Sequence, residues 1–401
     1  MPVRVRPLAP YDIIMKFSNV VNKKLGYYSV HDPVDPTSYS SKTQALMHAT
    51  RVNTWMEWNF NEDVFGQVNW TQEPPESLKQ LYYQRALQLR HTYDYLILNY
   101  SGGSDSKTIL DTFLNNNIRV DEILVRWPKK GSENIYTPNA FDYVPENVYS
   151  EWDLVILPDL QWIATHHPHI KITVWDYTEE VEKHYKDIDW IVKVNGEHLN
   201  PAQIGRYSMG MDVHKRVLDK GRKVGHIHGL DKPRVAHENG KFYSFFLDSV
   251  ANLSGTMYDD SVDAENVQEL FYWTPDFPKL VIKQSHIIAK FFRDNPALLH
   301  LINKGFVPYS SRTAYEMIIK SLIYPDWNPK RFQAPKPSSV FFCEYDEWFF
   351  DSYKGTNTFE NWQKGLEYVV DHVDTKHFNL NRHGRPNGFV GCVSTHFDLG
   401  I

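Results

Sequence analysis

The stretch Ser101-Gly102-Gly103-Ser104-Asp105-Ser106 constrains this chain more than any other, because of what stands on either side of it. Before it runs Tyr95-Leu96-Ile97-Leu98-Asn99-Tyr100, a short apolar segment of the kind that forms a buried strand. After it, Ile109, Leu110, Phe113 and Leu114 recur at helical spacing within residues 106–116. Adjacent glycines allow unusual backbone angles and let an anion approach the chain closely. A helix that starts at such a bend points unpaired amides and its positive dipole end into the loop. Ser101, Ser104 and Ser106 add three hydroxyl donors. The physics describes a seat for a phosphate group.

The surrounding pattern alternates between strand and helix. A helix is expected over 75–90, with Pro75 in its first turn and Leu78, Leu81, Tyr82 and Leu89 on one face. A second strand is expected at Val120–Arg126, a third at Ile170–Trp175 and a fourth at Lys223–His228. Between them lie a loop over 128–144, helical pieces at 146–156 and 158–166 divided at Pro158, a helix at Glu179–Tyr185, and an irregular stretch over 190–222. This rhythm predicts an α/β fold with a doubly wound, mostly parallel sheet. Ligands of such sheets collect at the carboxyl ends of the strands, which places 101–106, 126–130, 176–178 and 229–234 around one crevice. Residues 1–74 read as an N-terminal extension with a helix near Lys42–Met56, 75–235 as the α/β domain, and 236–401 as a mainly helical C-terminal domain. The last has one strand at 241–247 and helices at 265–272, 278–294, 311–323 and 358–372.

The six-residue loop resembles the PP-loop of the ATP pyrophosphatase superfamily (adenine nucleotide alpha hydrolase-like), whose pattern is SGGxDS. It differs from a Walker A loop, which ends in Gly-Lys-Ser/Thr; Asp105 stands where that lysine would help to neutralise phosphate. The resemblance implies a HUP/Rossmann-like domain that binds ATP and Mg²⁺, cleaves ATP between its α and β phosphates, and places AMP on an acceptor oxygen. It implies that Ser101, Gly102, Gly103, Ser104 and Ser106 cradle the pyrophosphate portion. Asp105 holds the metal or orients the loop, and main-chain groups near Leu124–Arg126 meet the adenine. Gly229 and Asp231 resemble the second glycine-and-acid segment of that family.

Two further sets of cations come from the residues themselves. Lys232 and Arg234 follow the fourth strand and could offset the charge that develops as pyrophosphate leaves. Lys279, Lys283, His286 and Lys290 form a basic stripe opposite Leu280, Ile287, Ile288 and Phe291. Such a stripe is usually the wet face of an amphipathic helix. Because asparagine-synthetase-like members bring a helical C-terminal domain over the crevice, Lys283 is also a candidate for the phosphates or the acceptor.

Absences narrow the class. The two cysteines, Cys343 and Cys392, exclude a disulfide framework and a four-cysteine zinc site. Neither sits in the Glu-Cys-Gly setting of sulfonucleotide reductases, and isolated cysteines argue against tRNA thiolation. The chain begins Met-Pro, without the N-terminal nucleophilic cysteine of a glutaminase. The expectation is therefore a ligase nearest in character to the synthetase domain of asparagine synthetase, acting on a small-molecule acceptor with free ammonia, an amine, or ammonia from a partner. Two alternatives are a nucleobase- or nucleotide-modifying PP-loop enzyme (thiolation or sulfonucleotide-related) and a non-catalytic nucleotide-binding protein. A net charge of −6 argues against wholesale phosphate-backbone binding but leaves a local tRNA or DNA contact open. No segment has the length and apolarity of a membrane span, and no signal-peptide core is evident, so a cytoplasmic protein is expected. Among 18 histidines, His226 and His228 share a strand face, yet no structural metal is expected.

Overall fold

The computed structural model describes residues 25–127, 152–176, 185, 186, 190, 199, 221–230, 232–248, 268–303, 312–331, 344–380 and 386–401. Its centre is a parallel sheet of β1 (Tyr95–Asn99), β2 (Glu122–Trp127), β3 (Lys171–Asp176), β4 (Val224–His228) and β5 (Gln268–Leu270). Their order across the sheet is β3-β2-β1-β4-β5, so the direction of winding reverses between β1 and β4. The helices that matter for the site are α1 (Leu78–Thr92), α2 (Ser104–Asn115), α3 (Leu157–His166), α4 (Pro278–Asp294) and α5 (Arg312–Ile323). An α/β fold with a parallel sheet and flanking helices is thus present.

Local sequence explains most of these boundaries. Ser77 caps α1 and Gln80 returns the bond to the Ser77 amide, a capping box that starts this helix after Pro74-Pro75. Pro158 does stand where two helical pieces meet. It occupies the first turn of α3, where its missing N–H costs nothing, directly after a π-helical turn at Trp152–Ile156. The helix expected at Glu179–Tyr185 and the loop at 128–144 lie outside the described residues, Tyr185 apart.

Residues 265–272 were expected to be helical, and here the structure corrects the sequence reading: Gln268–Leu270 is the edge strand β5, paired with His226–His228. Tertiary contacts override the local pattern. The Glu269 carboxylate takes Arg85 Nη2 at 2.8 Å and Tyr93 Oη at 2.5 Å, and Arg85 Nη2 also reaches Leu270 O at 2.7 Å. These bonds pin the segment to α1 in extended form. The fifth strand therefore comes from beyond residue 235, where the α/β domain was expected to end.

Other parts of the chain hold more strand than their pattern suggests. Tyr28–Val30, Ser38–Tyr39 and Met56–Trp58 form a small antiparallel sheet around the helix Lys42–Arg51. Arg234–Glu238, Lys241–Phe245 and Phe397–Asp398 form another, and Phe378–Leu380 pairs with Pro386–Phe389. Helices at Glu344–Tyr353 and Asn357–His372 complete the C-terminal part. The first and last parts meet at a fully buried ion pair, Lys42 Nζ to Asp248 Oδ2 at 2.7 Å, with Tyr28 Oη donating to the same oxygen and the Cys392 amide to Oδ1.

The two faces of the main sheet differ in kind. Leu96, Leu98, Ile123, Val125 and Ile227 join the main core with Leu81, Tyr82 and Leu89 of α1 and Ile109, Leu110 and Phe113 of α2. The opposite face has only a small apolar cluster, Tyr95, Ile97, Leu124 and Val224. Parallel sheets are normally apolar on both faces. Here Glu122, His226, His228 and Gln268 are buried on that second face. Glu122 is satisfied by Tyr95 Oη at 2.8 Å, Lys171 Nζ at 3.0 Å and Thr173 Oγ1 at 2.5 Å, so its charge is paired where it is buried.

Candidate functional site

The loop after β1 lies where the sheet reverses, at the carboxyl ends of β1 and β4. Gly102 has φ +76°, a left-handed conformation that glycine adopts without strain. A Cβ there would also stand 2.8 Å from Ile156 Cγ1, so the π-helical turn packs directly on the glycine. Gly103 is the N-cap of α2 and makes no side-chain cap. Its φ of −69° is open to any residue, so its lack of a side chain, rather than its backbone freedom, is what distinguishes this position. The amides of Ser104, Asp105 and Ser106 belong to the first helical turn and have no intrahelical acceptor. Among the described residues the buried Ser104 hydroxyl has no hydrogen-bond partner.

The other two serines have different work. Ser106 Oγ donates to Gly103 O at 3.1 Å and accepts from the Ser101 amide at 3.2 Å, with Ser101 Oγ at 3.4 Å. Ser106 thus staples the bend shut and holds its shape.

Asp105 is the hub. Its Oδ1 takes Lys232 Nζ at 3.3 Å and the Tyr324 hydroxyl, while its backbone carbonyl takes Tyr272 Oη at 2.6 Å. Lys232 is shared with Glu316 Oε2 at 3.1 Å. Burial opposes the charge on Lys232, but the carboxylates of Asp105 and Glu316 outweigh it and hold the ammonium above its ordinary range. Burial likewise opposes the charge on Glu316, and Lys232, Lys320 and Arg234 together pull its carboxyl below the usual range. Burial lifts the Tyr272 and Tyr324 hydroxyls well above 10, with Tyr82 and then Asp105 adding to it at Tyr272 and Asp105 at Tyr324, so both act as neutral donors.

On the other flank, Arg331 Nη2 bonds Gly102 O at 3.2 Å and Tyr100 Oη at 3.0 Å, and pairs with Asp159 in the first turn of α3. Tyr100 donates to the same carboxylate. The loop is therefore held from both sides by residues far along the chain.

The sequence-derived candidates separate into three groups. Ser101, Gly102, Gly103, Ser104, Asp105, Ser106, Lys232 and Gly229 meet at one place; a Cβ on Gly229 would lie 3.0 Å from the Ser106 amide nitrogen. Arg234 opens the strand Arg234–Glu238 and acts electrostatically on Glu316. Arg126 is the next-to-last residue of β2, on the polar face, where its charge acts on the buried His228. Asp231 lies outside the described residues.

Lys283 is engaged by other groups: its ammonium is bound to Glu73 Oε1 at 2.7 Å and Pro74 O at 3.0 Å. The whole basic stripe does the same: Lys279 pairs with Glu76 at 3.0 Å, Lys290 with Glu73, and His286 Nε2 meets Trp70 O at 2.8 Å. The stripe is half wet: Lys279 is exposed and Lys290 half-exposed while Lys283 and His286 are covered, and the segment 70–76, with Glu73 and Glu76, lies along it.

Sequence reasoning missed Tyr272, Tyr324, Glu316, Asp159 and Arg331. Only Asp159 carried a local signal, an acid in the first turn of a helix. The others converge through tertiary folding alone.

The donor set fits a polyphosphate: open amides, an unpartnered Ser104 hydroxyl and a nearby Lys232 are complementary to anionic oxygens. For a divalent cation, Asp105 is the available carboxylate, and one of its oxygens is already occupied by Lys232 and Tyr324. Among the described residues no cluster of three or more His, Cys, Asp or Glu side chains could hold a metal on its own. Nor is any helix there long and apolar enough to cross a membrane. No protein-family model matches the chain, and no curated protein matches it.

Proposed function

We propose that this chain is a cytoplasmic PP-loop enzyme that binds ATP with Mg²⁺ at residues 101–106 and transfers AMP to an acceptor oxygen, releasing pyrophosphate. In this reading the sheet is wound on both faces in the HUP/Rossmann-like manner, and the C-terminal helices form a domain over the crevice. The observation that carries the proposal is the state of Ser104. Its buried hydroxyl has no hydrogen-bond partner among the described residues and can donate to a phosphate oxygen. It stands at an uncapped helix head, where the sheet reverses.

The chain's own groups divide the work. The amides of Ser104, Asp105 and Ser106 and the Ser104 hydroxyl hold the polyphosphate. Ser106 Oγ keeps the bend in shape. Lys232 offsets negative charge developing on the departing pyrophosphate, the largest type of contribution a protein makes in phosphoryl and nucleotidyl chemistry. Asp105 Oδ2, the oxygen not engaged by Lys232 or Tyr324, is the atom that would hold Mg²⁺. The bound nucleotide supplies the adenylyl group, which turns a poor oxygen leaving group into a good one. An acceptor attacked afterwards by ammonia or an amine gives a ligase of the asparagine synthetase type. Incubation with α-labelled ATP and Mg²⁺ across carboxylate and amide acceptors tests this. Labelled AMP with pyrophosphate is expected, and ADP with phosphate contradicts it.

A further inference from the structure

Lys232 has two carboxylate partners of unequal standing. Asp105, in the first turn of α2, lies 3.3 Å from its Nζ, and Glu316, on α5, lies 3.1 Å away. Asp105 is also held by Tyr324, whose buried hydroxyl donates to the same Oδ1. One carboxylate oxygen at the mouth of the helix is therefore capped by two donors of the protein itself. A divalent cation on the other oxygen, Oδ2, would stand on the same carboxylate as that ammonium, and two cations so close repel strongly. Glu316 removes the obstacle. It is tied to α5, receives the same ammonium, and is kept ionised by Lys232 with help from Lys320 and Arg234.

We infer that Glu316 and Tyr324 are positioning residues that make metal binding at Asp105 conditional on a polyphosphate. Without one, Lys232 and Tyr324 occupy Asp105. When a polyphosphate enters the helix head, its oxygens compete for Lys232, which swings between phosphate and Glu316 and leaves Asp105 free for the divalent cation. Glu316 is the partner that lets Lys232 leave Asp105 without becoming an unpaired buried charge. The inference rests on the nucleotide reading of the loop and adds an order to it: polyphosphate first, metal second.

The test uses the full chain, Mn²⁺ followed by electron paramagnetic resonance, and inorganic pyrophosphate. The native protein should take up Mn²⁺ only weakly alone and at least about tenfold more tightly with pyrophosphate, a shift of about 1.4 kcal/mol. Lys232→Met should bind Mn²⁺ without pyrophosphate. Tyr324→Phe, which removes one hydroxyl from a packed ring, should move in the same direction and serves if the lysine variant does not fold. Glu316→Gln should lose most of the pyrophosphate-dependent gain. Equal Mn²⁺ affinity with and without pyrophosphate in the native protein, or unchanged behaviour in Glu316→Gln, overturns the inference. Calorimetric titration with pyrophosphate in the absence of metal separates the two levels. No binding there removes the nucleotide reading and this inference together, whereas binding with unchanged variants removes only the inference.

Discussion

A Cβ on Gly229 would stand 3.0 Å from the amide nitrogen of Ser106, so the end of β4 and the head of α2 touch through a glycine. This contact places the segment leading to Lys232 against the first turn of α2. Gly229→Val should overpack the junction, cost about 1–3 kcal/mol and displace the loop. Denaturant unfolding with ATP titration checks this; a variant as stable and as tightly binding as the native protein would show that the contact relaxes freely.

Asp105 links Lys232, Tyr324 and, through its carbonyl, Tyr272. Asp105→Ala should abolish pyrophosphate release yet leave a folded protein, since Lys232 keeps Glu316 and the carbonyl contact is retained. Lys232→Ala should slow turnover more than it weakens ATP binding, and Arg234→Ala should have a smaller effect because Arg234 acts through Glu316. Rapid-quench measurement of pyrophosphate with equilibrium ATP binding distinguishes these outcomes.

The α4 stripe and the acidic segment make a prediction about salt. Glu73 receives both Lys283 and Lys290. Glu73→Gln should lower stability by about 1 kcal/mol at low ionic strength and by less at high salt, since partly exposed pairs are screened. ATP affinity should not change, because the Pro74 carbonyl still holds Lys283. A loss of ATP affinity in this variant would return Lys283 to the site.

His228 is buried on the polar face of the sheet beside Gln268 and Asn99. Burial, reinforced by the Arg126 charge, pushes its imidazole down to about 3. The unfolded chain takes up this proton near pH 6.5, and the folded chain resists it. The stability due to the neutral ring is therefore complete above about pH 6.5 and is lost as the pH falls towards 3, by at most about 1.4 kcal/mol per unit. Urea unfolding between pH 7 and 5 should show a shallower slope for His228→Gln than for the native protein. Parallel slopes would mean that other groups dominate.

The sequence disclosed those parts of the molecule that are set locally. The strand at Tyr95–Asn99, the glycine bend and the helix after it were readable because burial pattern, backbone freedom and helix period all change within a few residues. The long helix α4 was readable for the same reason. Gln268–Leu270 was not, since three residues carry no period and their extended form depends on Arg85 and Tyr93. The pairing of Lys283 with Glu73 was not readable either, because helical spacing shows which residues share a face but not what lies against it. The demand for a cation near Asp105 was legible from its charge; that Lys232, Tyr324 and Glu316 meet there depends on segments more than a hundred residues apart in the chain.

The claim at the centre of this account is that the bend at Gly102-Gly103 receives the phosphates of a nucleotide. Calorimetric titration of ATP with Mg²⁺ into the native protein and into Gly103→Val tests it most directly, because φ at Gly103 is −69° and valine fits that backbone. The account predicts measurable ATP binding that weakens at least about tenfold in the variant, while the poorer N-cap lowers stability by no more than about 1–2 kcal/mol. Equal affinity in both proteins, or no binding in either, would contradict it.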